Sequence, residues 1–254
     1  MALTSLPQTQ KLSAVVLAAG MGTRLKDIID DRPKGLLEIG GDPLIKFSLD
    51  CLQQNGIDDV VMVTGYKEEQ YKQFLHDKYP NIAYVTNEDY SVTGSMHSLF
   101  LAQKYVRGSF VLLESDLLYE RRAISILKNR KDSTVLISGP TYFGDEVYIY
   151  GDSGIIRKIT KKTVDSLKLQ GELVGISKIS LSLYEKMCAY YQSEIPFPSD
   201  FHYEDCISGL SKRLTINYCK VEDLAWTEID DPTHYHRAVE SVYPRILKHN
   251  LRYR

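Results

Sequence analysis

Residues 17–25 combine small side chains with a cation in a way that suits phosphate chemistry. Their letters are LAAGMGTRL, and a second cation, Lys34, follows Pro33 further along the chain. Glycines after a buried strand let the backbone approach a ligand closely, and successive amides can point at phosphate oxygens. The predicted nucleotide-binding residues are Leu17, Ala18, Ala19, Gly20, Gly22 and Thr23, with Arg24 and Lys34 as the catalytic cations that neutralise a triphosphate.

This glycine loop differs from the two commonest nucleotide signatures. A Walker A loop needs four residues between its glycines and then Gly-Lys-Ser/Thr, and the dinucleotide fingerprint needs a third glycine where this chain has Leu25. Gly20 and Gly22 can also be read as a tight strand-to-helix turn. Arg24 and Lys34 favour the phosphate-binding interpretation.

Two aspartates end strand-like runs and are candidate metal ligands. Asp116 closes the run FVLLESD, and Asp230 closes the run AWTEID before a helical segment. The carboxyl edge of the sheet would bring Asp116 beside the glycine loop. Mg²⁺ is usually held by one or two carboxylates together with phosphate oxygens and waters, so two aspartates suffice. Either aspartate could instead cap a helix or close a turn.

The elements that must position these side chains alternate between strand and helix. Residues 12–18 form an unbroken apolar run, which is typical of a strand buried on both faces. The segments that follow are helix 43–55, strand 60–64, helix 67–77, strand 82–86, helix 95–105 and strand 110–113. Such alternation builds parallel βαβ units. We therefore predict an α/β fold with a Rossmann-like, doubly wound sheet and the glycine loop at its carboxyl edge.

The pattern changes after Arg122. Strand-like segments are 135–138, 146–150, 155–160, 173–179, 214–221 and 225–229, and helical segments are 181–191, 203–210 and 233–247. Turn signals between the strands predict a mixed or antiparallel extension of the sheet. We predict one domain over 1–254, because no linker marks a boundary. Residues of about 11–122 form its nucleotide-binding half, and those of about 123–254 form an acceptor-binding half with a smaller C-terminal substrate lid.

Composition and charge exclude several classes of protein. The 254 residues include 31 Lys and Arg against 33 Asp and Glu, a net charge of −2, and 43% of them are hydrophobic. This is typical of a folded globular protein without a basic surface, so we expect neither a nucleic-acid nor a membrane partner. Four scattered cysteines predict buried, reduced thiols. The first residues lack a basic stretch followed by an apolar run, so we expect a cytoplasmic protein. No surface stripe separates from the core pattern, and the oligomeric state is not predicted.

The glycine loop together with Pro33-Lys34 resembles the signature of the sugar-nucleotidyltransferase superfamily. Members of that superfamily join a nucleoside triphosphate to a phosphorylated small molecule and release pyrophosphate. The resemblance extends to the C-terminal helix and implies the GT-A-like form of the predicted mixed sheet. Five further motifs look like those of the cytidylyltransferases that act on aminoalkyl head groups, namely 93–96 (TGSM), 113–116 (LESD), 144–147 (GDEV), 171–176 (GELVGI) and 226–230 (WTEID).

The resemblance implies the reaction and its cofactor. CMP would pass from CTP to 2-aminoethylphosphonate, with phosphocholine as an alternative acceptor and a sugar 1-phosphate as a further one. Mg²⁺ would be held by Asp116 and Asp230. The acceptor oxygen is already ionised at neutral pH, so the protein needs only to position two anions and stabilise charge. In the family, segment 93–96 lies against the base, which assigns Gly94 and Ser95 to the cytosine. Ser95 could instead cap the following helix.

The acceptor side has several candidates. A cationic amine needs carboxylates or aromatic faces, and those available are Asp145, Glu146, Glu172, Tyr203, Asp205 and Trp226. Glu172 and Asp205 match acceptor-site positions of the family, and carboxylates favour a primary amine over a quaternary one. Lys161 or Lys162 would meet the acceptor's phosphate, although both could belong to a solvated basic turn. A catalytically silent nucleotide-sensing module is the alternative of another class, and the presence of both cations and both aspartates argues against it.

Overall fold

A nine-stranded mixed sheet organises the chain, which the computed structural model describes over residues 11–144 and 146–252, the side chains of Lys26 and Asp27 excepted. The strands are β1 (Ser13–Ala18), β2 (Glu38–Ile39), β3 (Asp42–Pro43), β4 (Val60–Thr64), β5 (Ile82–Thr86), β6 (Phe110–Glu114), β7 (Leu117–Tyr119), β8 (Thr134–Ser138), β9 (Tyr148–Asp152), β10 (Ile155–Thr160), β11 (Leu169–Ile179), β12 (Asn217–Val221) and β13 (Trp226–Glu228). The helices are α1 (Lys26–Ile29), α2 (Leu44–Gln54), α3 (Glu68–Leu75), α4 (Ser95–Leu101), α5 (Arg122–Lys128), α6 (Leu181–Glu194), α7 (Tyr203–Leu210), α8 (Pro232–Arg237) and α9 (Tyr243–Arg252). A π-helical turn, Ala238–Val242, joins α8 to α9.

The strand order confirms the predicted mixed α/β sheet. It runs β5-β4-β1-β6-β11-β8-β12-β10-β9. The first four strands are parallel, as βαβ units require. Strand β11 is antiparallel to β6 and β8, and β10 is antiparallel to β9 and β12, which is the predicted change of pattern in the second half. The carboxyl edge of the parallel strands therefore lies next to the start of the antiparallel extension.

Alternate side chains of β1 enter two different cores. Val15 and Leu17 pack in a core that also contains residues of α4, α6 and α7, whereas Val16 and Ala18 pack with residues of α2, α3 and α5. A strand covered on both faces needs apolar residues at every position, which explains the unbroken apolar run of the sequence. The helices thus cover both faces of the sheet, as in a doubly wound fold.

A third core ties the segment after the glycine loop to the C-terminal helices. It contains Leu25 and Ile29 near the loop, Leu118 in β7, and Ala238 and Ile246 in the terminal helical segment. The terminal segment was predicted as one helix over 233–247, and the structure extends it from 232 to 252 with a π-helical turn inside. This core joins the end of the glycine loop, β7, the residues on either side of β13 and the terminal helical segment.

Two further features bear on the predicted class of protein. The four cysteines, Cys51, Cys188, Cys206 and Cys219, are buried and form no disulfide, as expected from their spacing. Among the described residues, no helix combines the length and the apolar character needed to cross a membrane.

Candidate active site

A cavity of about 740 Å³ opens at the carboxyl ends of β1 and β6 and extends towards β11 and β13. It collects most of the predicted site residues, namely Leu17, Ala19, Gly20, Gly22, Arg24, Lys34, Gly94, Ser95, Asp116, Glu146, Lys161, Lys162, Glu172, Asp205, Trp226 and Asp230. Ala18 is buried in the sheet core, the exposed Thr23 begins the turn that follows the loop, and Tyr203 is fully buried, so these three are not in the cavity wall. Asp145 lies outside the described residues.

Gly20 and Gly22 differ in what a side chain at each position would meet. Gly22 has a φ of +60°, a conformation that favours glycine, and a Cβ there would meet Ile29 at 3.3 Å and Lys34 at 3.4 Å. A Cβ on Gly20 would meet no atom within 4 Å. Gly22 is therefore explained by the turn, whereas the open side of Gly20 leaves space for a ligand against the backbone.

The cations Arg24 and Lys34 share one aspartate. Arg24 Nη2 lies 2.8 Å from Asp230 Oδ2, and Lys34 Nζ pairs with Asp230 Oδ1 and lies 2.5 Å from Asp116 Oδ2. The side chains of Lys34, Asp116 and Asp230 are only 12–14% exposed. Burial alone would lower the pKa of the Lys34 ammonium, but Asp116 and Asp230 outweigh it and hold that pKa above its usual value. Burial alone would raise the pKa of the Asp230 carboxyl, but Lys34 and Arg24 hold it below its usual value.

The backbone beside Lys34 is held by a buried tyrosine. The Gly35 amide donates to the Tyr71 hydroxyl at 3.0 Å. A Cβ on Gly35 would lie 2.5 Å from that oxygen, so only glycine allows this approach. Burial raises the pKa of Tyr71 to about 12, which keeps the hydroxyl neutral. The Lys34 segment is therefore positioned by α3 as well as by its own turn.

A group of three carboxylates forms the floor of the cavity. Carboxylate oxygens of Glu114, Asp116 and Glu228 lie within 4.8 Å of one another. Burial, followed by the charges of Glu228 and Asp116, raises the pKa of Glu114 well above its usual value. Gly175, with a φ of +81°, lies in the bulge of β11 against Glu114, where a Cβ would be 3.2 Å from Oε2. Carboxylates this close together repel one another, and a bound cation, either a metal ion or an ammonium group, would stabilise them.

Asp116 meets a simple test for a metal ligand. Its Oδ1 is buried and has no hydrogen-bond partner among the described residues. An oxygen-only donor set is the kind that hard divalent cations prefer, so the residues present fit such an ion. Asp230 is not in the group of three, and its two oxygens pair with Lys34 and Arg24. Its assignment to the metal stays a prediction.

A fourth carboxylate extends the floor towards α7. Glu204 lines the cavity, its Oε2 is buried without a hydrogen-bond partner among the described residues, and burial raises its pKa. Beneath it the fully buried Tyr203 lies beside Glu114, and burial, reinforced by Glu114, raises the pKa of its hydroxyl. Tyr203 therefore supports the floor from below.

The segment predicted to lie against the base packs on the chain before α7. A Cβ on Gly94 would come within 2.5 Å of the Phe201 carbonyl oxygen, so the close approach that Gly94 permits in this structure is to protein backbone. The Ser95 hydroxyl accepts from the Tyr203 amide at 3.2 Å and lies 3.2 Å from His202 Nδ1. Ser95 thus links α4 to α7, and Gly94, at the N-cap of α4, lets the chain before α7 pack closely against it. Both remain in the cavity wall.

Glu172 and Asp205, the two predicted acceptor-binding residues that best match the family, accept hydrogen bonds from backbone amides. Both oxygens of Glu172 lie 2.9 Å from the Thr141 amide. Asp205 is exposed and forms the capping box of α7, where it accepts from the His202 amide at 3.3 Å. Glu146 similarly accepts from the Gly144 amide at 3.0 Å. These carboxylates fix the rim of the cavity while facing into it.

Glu114, Glu228, Glu204, Phe143 and Arg237 were missed by sequence reasoning. Glu114 and Glu228 each stand two residues before a predicted aspartate, in the runs ESD and EID. Residues two apart on a strand point to the same face, so the strand period was a usable signal for both glutamates. Phe143 and Arg237 carried no comparable signal, because their contact joins a loop to the C-terminal helix.

Comparisons with known proteins show which proteins this chain is similar to. Residues 14–152 match the MobA-like NTP transferase domain. A choline-phosphate cytidylyltransferase of Streptococcus pneumoniae is 26% identical over 231 residues, which cover 90% of this chain and 97% of that protein. A 2-aminoethylphosphonate cytidylyltransferase of Lancefieldella rimae is 30% identical over 170 residues, which cover 64% of this chain and 66% of that protein. The solved inositol-1-phosphate CTP transferase of T. maritima has the same fold, with a TM-score of 0.79, 20% identity, and coverage of 93% of this chain and 94% of that one.

Proposed function

The chain belongs to the MobA-like NTP transferase family and is an enzyme of its cytidylyltransferase branch, and we propose that it transfers CMP from CTP to 2-aminoethylphosphonate. The products would be CMP-aminoethylphosphonate and pyrophosphate. The observation that carries this proposal is the carboxylate floor of the cavity, Glu114, Asp116 and Glu228, extended by Glu204. The sugar of a sugar 1-phosphate brings no positive charge to these partly buried carboxylates, whereas an ammonium group does.

The two ends of the floor support different roles. Asp116 faces the nucleotide side, where Lys34 contacts it, and it would hold Mg²⁺ together with Asp230. Glu114 and Glu228 continue towards Glu204 on the acceptor side and would receive the ammonium group. Bound at Asp116, Mg²⁺ supplies positive charge for phosphate oxygens. Carboxylates within a single floor would thus serve a metal ion at one end and an amine at the other.

The reaction needs positioning more than proton transfer. An ionised phosphonate oxygen forms a bond to the α-phosphorus of CTP while the bond from that phosphorus to the leaving pyrophosphate breaks. Arg24 and Lys34 would turn from Asp230 and Asp116 to the phosphate oxygens and neutralise their charge. The loop at Gly20 would bring its amides close to the triphosphate. No protein nucleophile or strong base is required.

The choice of a primary amine rests on the aromatic residues of the wall. Quaternary ammonium groups are usually held in a cage of aromatic faces. Phe143 and Trp226 line the cavity, but the guanidinium of Arg237 lies over the Phe143 ring at 3.3 Å from its centroid. That face is therefore occupied, and carboxylate oxygens that accept N–H bonds dominate the floor.

Phosphocholine is the second candidate acceptor. The choline-phosphate enzyme of Streptococcus pneumoniae aligns with 90% of this chain, including the acceptor half, whereas the 2-aminoethylphosphonate enzyme aligns with 64%. Trp226 could offer one aromatic face to a trimethylammonium group. The floor carboxylates would then contribute charge without hydrogen bonds.

Pyrophosphate release tests the proposed reaction. The purified chain is incubated with CTP and Mg²⁺ and with each of 2-aminoethylphosphonate, phosphocholine, phosphoethanolamine and a set of sugar 1-phosphates. We expect the highest kcat/KM with 2-aminoethylphosphonate. Turnover with a sugar 1-phosphate alone would contradict the proposal. Replacing CTP by UTP, ATP or GTP under the same conditions tests the choice of nucleotide.

A further inference from the structure

Arg237 and Phe143 close one side of the cavity from two separate elements. Phe143 belongs to the segment between β8 and β9, and Arg237 ends α8. The guanidinium carbon of Arg237 lies over the Phe143 ring, 3.3 Å from its centroid. A guanidinium that stacks through its face keeps its N–H donors in the plane, directed away from the ring. The contact therefore orients the donors of Arg237.

A second contact fixes the guanidinium within its plane. Arg237 Nη2 donates to Thr227 Oγ1 at 3.2 Å, and Thr227 is fully buried in β13 beside Glu228. A side chain held through its face and through one donor loses little further freedom when it binds a ligand. The planar fork of arginine matches the oxygens of a phosphate or phosphonate. The Arg237 guanidinium is thus preorganised to bind such an anion.

Helix α8 carries Arg237 along the wall that begins at Asp230. Asp231 caps the helix by accepting from the His234 amide at 2.9 Å, and the Asp230 amide donates to His234 Nδ1 at 3.4 Å. His234 and Arg237 are three residues apart in α8, a spacing that places both side chains on one face of the helix. Both line the cavity, as does Asp230, which precedes the cap.

The other cations of the wall are placed differently. Arg24 and Lys34 pair with Asp230 and lie at the glycine loop. Lys161 and Lys162 are exposed on the turn after β10, and the charge of Lys161 acts on Glu204. The acceptor's phosphate or phosphonate group carries two negative charges and enters a cavity rich in carboxylates. Its binding therefore needs an oriented cation close to those carboxylates.

We propose that Arg237, oriented by Phe143 and Thr227, binds the phosphonate or phosphate group of the acceptor. The inference rests on the proposed function, since it concerns the acceptor of that reaction. It applies equally to 2-aminoethylphosphonate and phosphocholine, because the dianionic group is common to both. Arg237 is in this account an acceptor-binding residue, and the floor carboxylates bind the other end of the same molecule.

Three variants test this assignment. Arg237→Lys keeps the charge and removes the planar fork, Phe143→Leu keeps apolar bulk and removes the ring face, and Arg245→Lys is the control outside the cavity wall. Each is assayed with the acceptor that gives the wild type its highest kcat/KM. In Arg237→Lys we expect the KM for the acceptor to rise by about tenfold or more, and the KM for CTP to stay within about twofold. Phe143→Leu should show a smaller rise in the acceptor KM, and Arg245→Lys should match the wild type.

Chemical rescue and direct binding complete the test. In Arg237→Ala, added guanidinium ion should restore part of the lost kcat/KM, and the thermal midpoint should show that the variant is folded. An unchanged acceptor KM in both Arg237 variants, or equal rises for acceptor and CTP, would overturn the assignment. Calorimetric titration with 2-aminoethylphosphonate and with phosphocholine separates this inference from the proposed reaction. Binding that is lost in Arg237→Ala supports the assignment even without turnover, and the absence of wild-type binding to both compounds overturns it.

Discussion

The ammonium group of Lys34 lies 2.5 Å from Oδ2 of Asp116, although 82 residues separate the two along the chain. One residue follows the glycine loop and the other follows β6, so the carboxyl edge of the sheet brings them together. Lys34 also pairs with Asp230, which follows β13. Three distant segments thus meet at one partly buried ion network, where we propose that the reaction takes place.

Replacing Asp116 by asparagine should abolish most of the turnover. Asp116→Asn keeps the shape of the side chain but removes the charge on Oδ1, which is buried and has no hydrogen-bond partner among the described residues. We expect kcat to fall by about 10²–10³ or more. A coupled pyrophosphate assay measures this, and circular dichroism checks the fold. Turnover equal to that of the wild type would show that Asp116 is not a metal ligand.

Removing the Lys34 charge should destabilise the fold in a pH-dependent way. Lys34→Met leaves Asp116 and Asp230 partly buried without their shared cation, which should cost about 3–5 kcal/mol of unfolding free energy near neutral pH. The raised pKa of Lys34 stabilises the folded state at every pH below the unfolded value of about 10.4, and this contribution is lost only as pH rises through the folded pKa.

The lowered pKa of Asp230 acts at the other end of the pH scale. The contribution of Asp230 to the stability of the folded state is present above the pKa of the unfolded chain, about 3.9. It is lost as pH falls through the pKa of the folded state. Urea denaturation of the wild type should therefore show a loss of stability below about pH 4, and Lys34→Met should show a smaller loss because the partner charge is gone. Parallel pH curves for the two proteins would contradict this account of the pair.

The two loop glycines should respond differently to an added methyl group. Gly22→Ala places a Cβ at a φ of +60° and should cost about 1–2 kcal/mol, seen as a lower thermal midpoint. Gly20→Ala adds a Cβ where no atom lies within 4 Å, so its thermal midpoint should match the wild type. If the triphosphate approaches this backbone, Gly20→Ala should raise the KM for CTP by about tenfold. A wild-type KM in this variant would place the phosphates elsewhere.

Glu228 should distinguish an acceptor with an ammonium group from one without it. Glu228→Gln keeps the size of the side chain and removes a charge from the carboxylate floor. We expect the KM for 2-aminoethylphosphonate to rise by about tenfold. The KM for propylphosphonate, which has a methyl group in place of the ammonium group, should not rise. Glu69→Gln, at an exposed position of α3, is the matched control. Equal changes for both compounds would remove Glu228 from amine recognition.

The first half of the fold was predictable because of how β1 and its neighbours are buried. Strands covered on both faces, such as β1 and β4, are apolar at nearly every position. The segment Val60–Thr64 and the partly buried edge strand Ile82–Thr86 have the predicted bounds. Strand β7 was not predicted, since Leu117–Tyr119 is too short to show a period. Helix α5 begins at Arg122 without a side-chain cap, so its start carried no signal.

The candidate site was predictable where it depends on strand ends and less so where loops meet. Asp116 and Asp230 end strand-like runs, and their meeting with Lys34 follows from the sheet. The assignment of Gly94 to the base stays a prediction, and the sequence did not indicate that the backbone of Phe201 lies where a Gly94 side chain would be. That contact joins residues more than a hundred positions apart, and nothing in the local spacing of the sequence encodes it.

Competition between the two acceptors tests the central claim most directly. Equal concentrations of 2-aminoethylphosphonate and phosphocholine are given to the enzyme with Mg²⁺ and a limiting amount of CTP, and the two products are separated by ³¹P NMR. The carboxylate floor and the occupied face of Phe143 predict that CMP-aminoethylphosphonate accumulates first and in excess. Accumulation of CDP-choline in excess, or no product from either acceptor, would contradict the account.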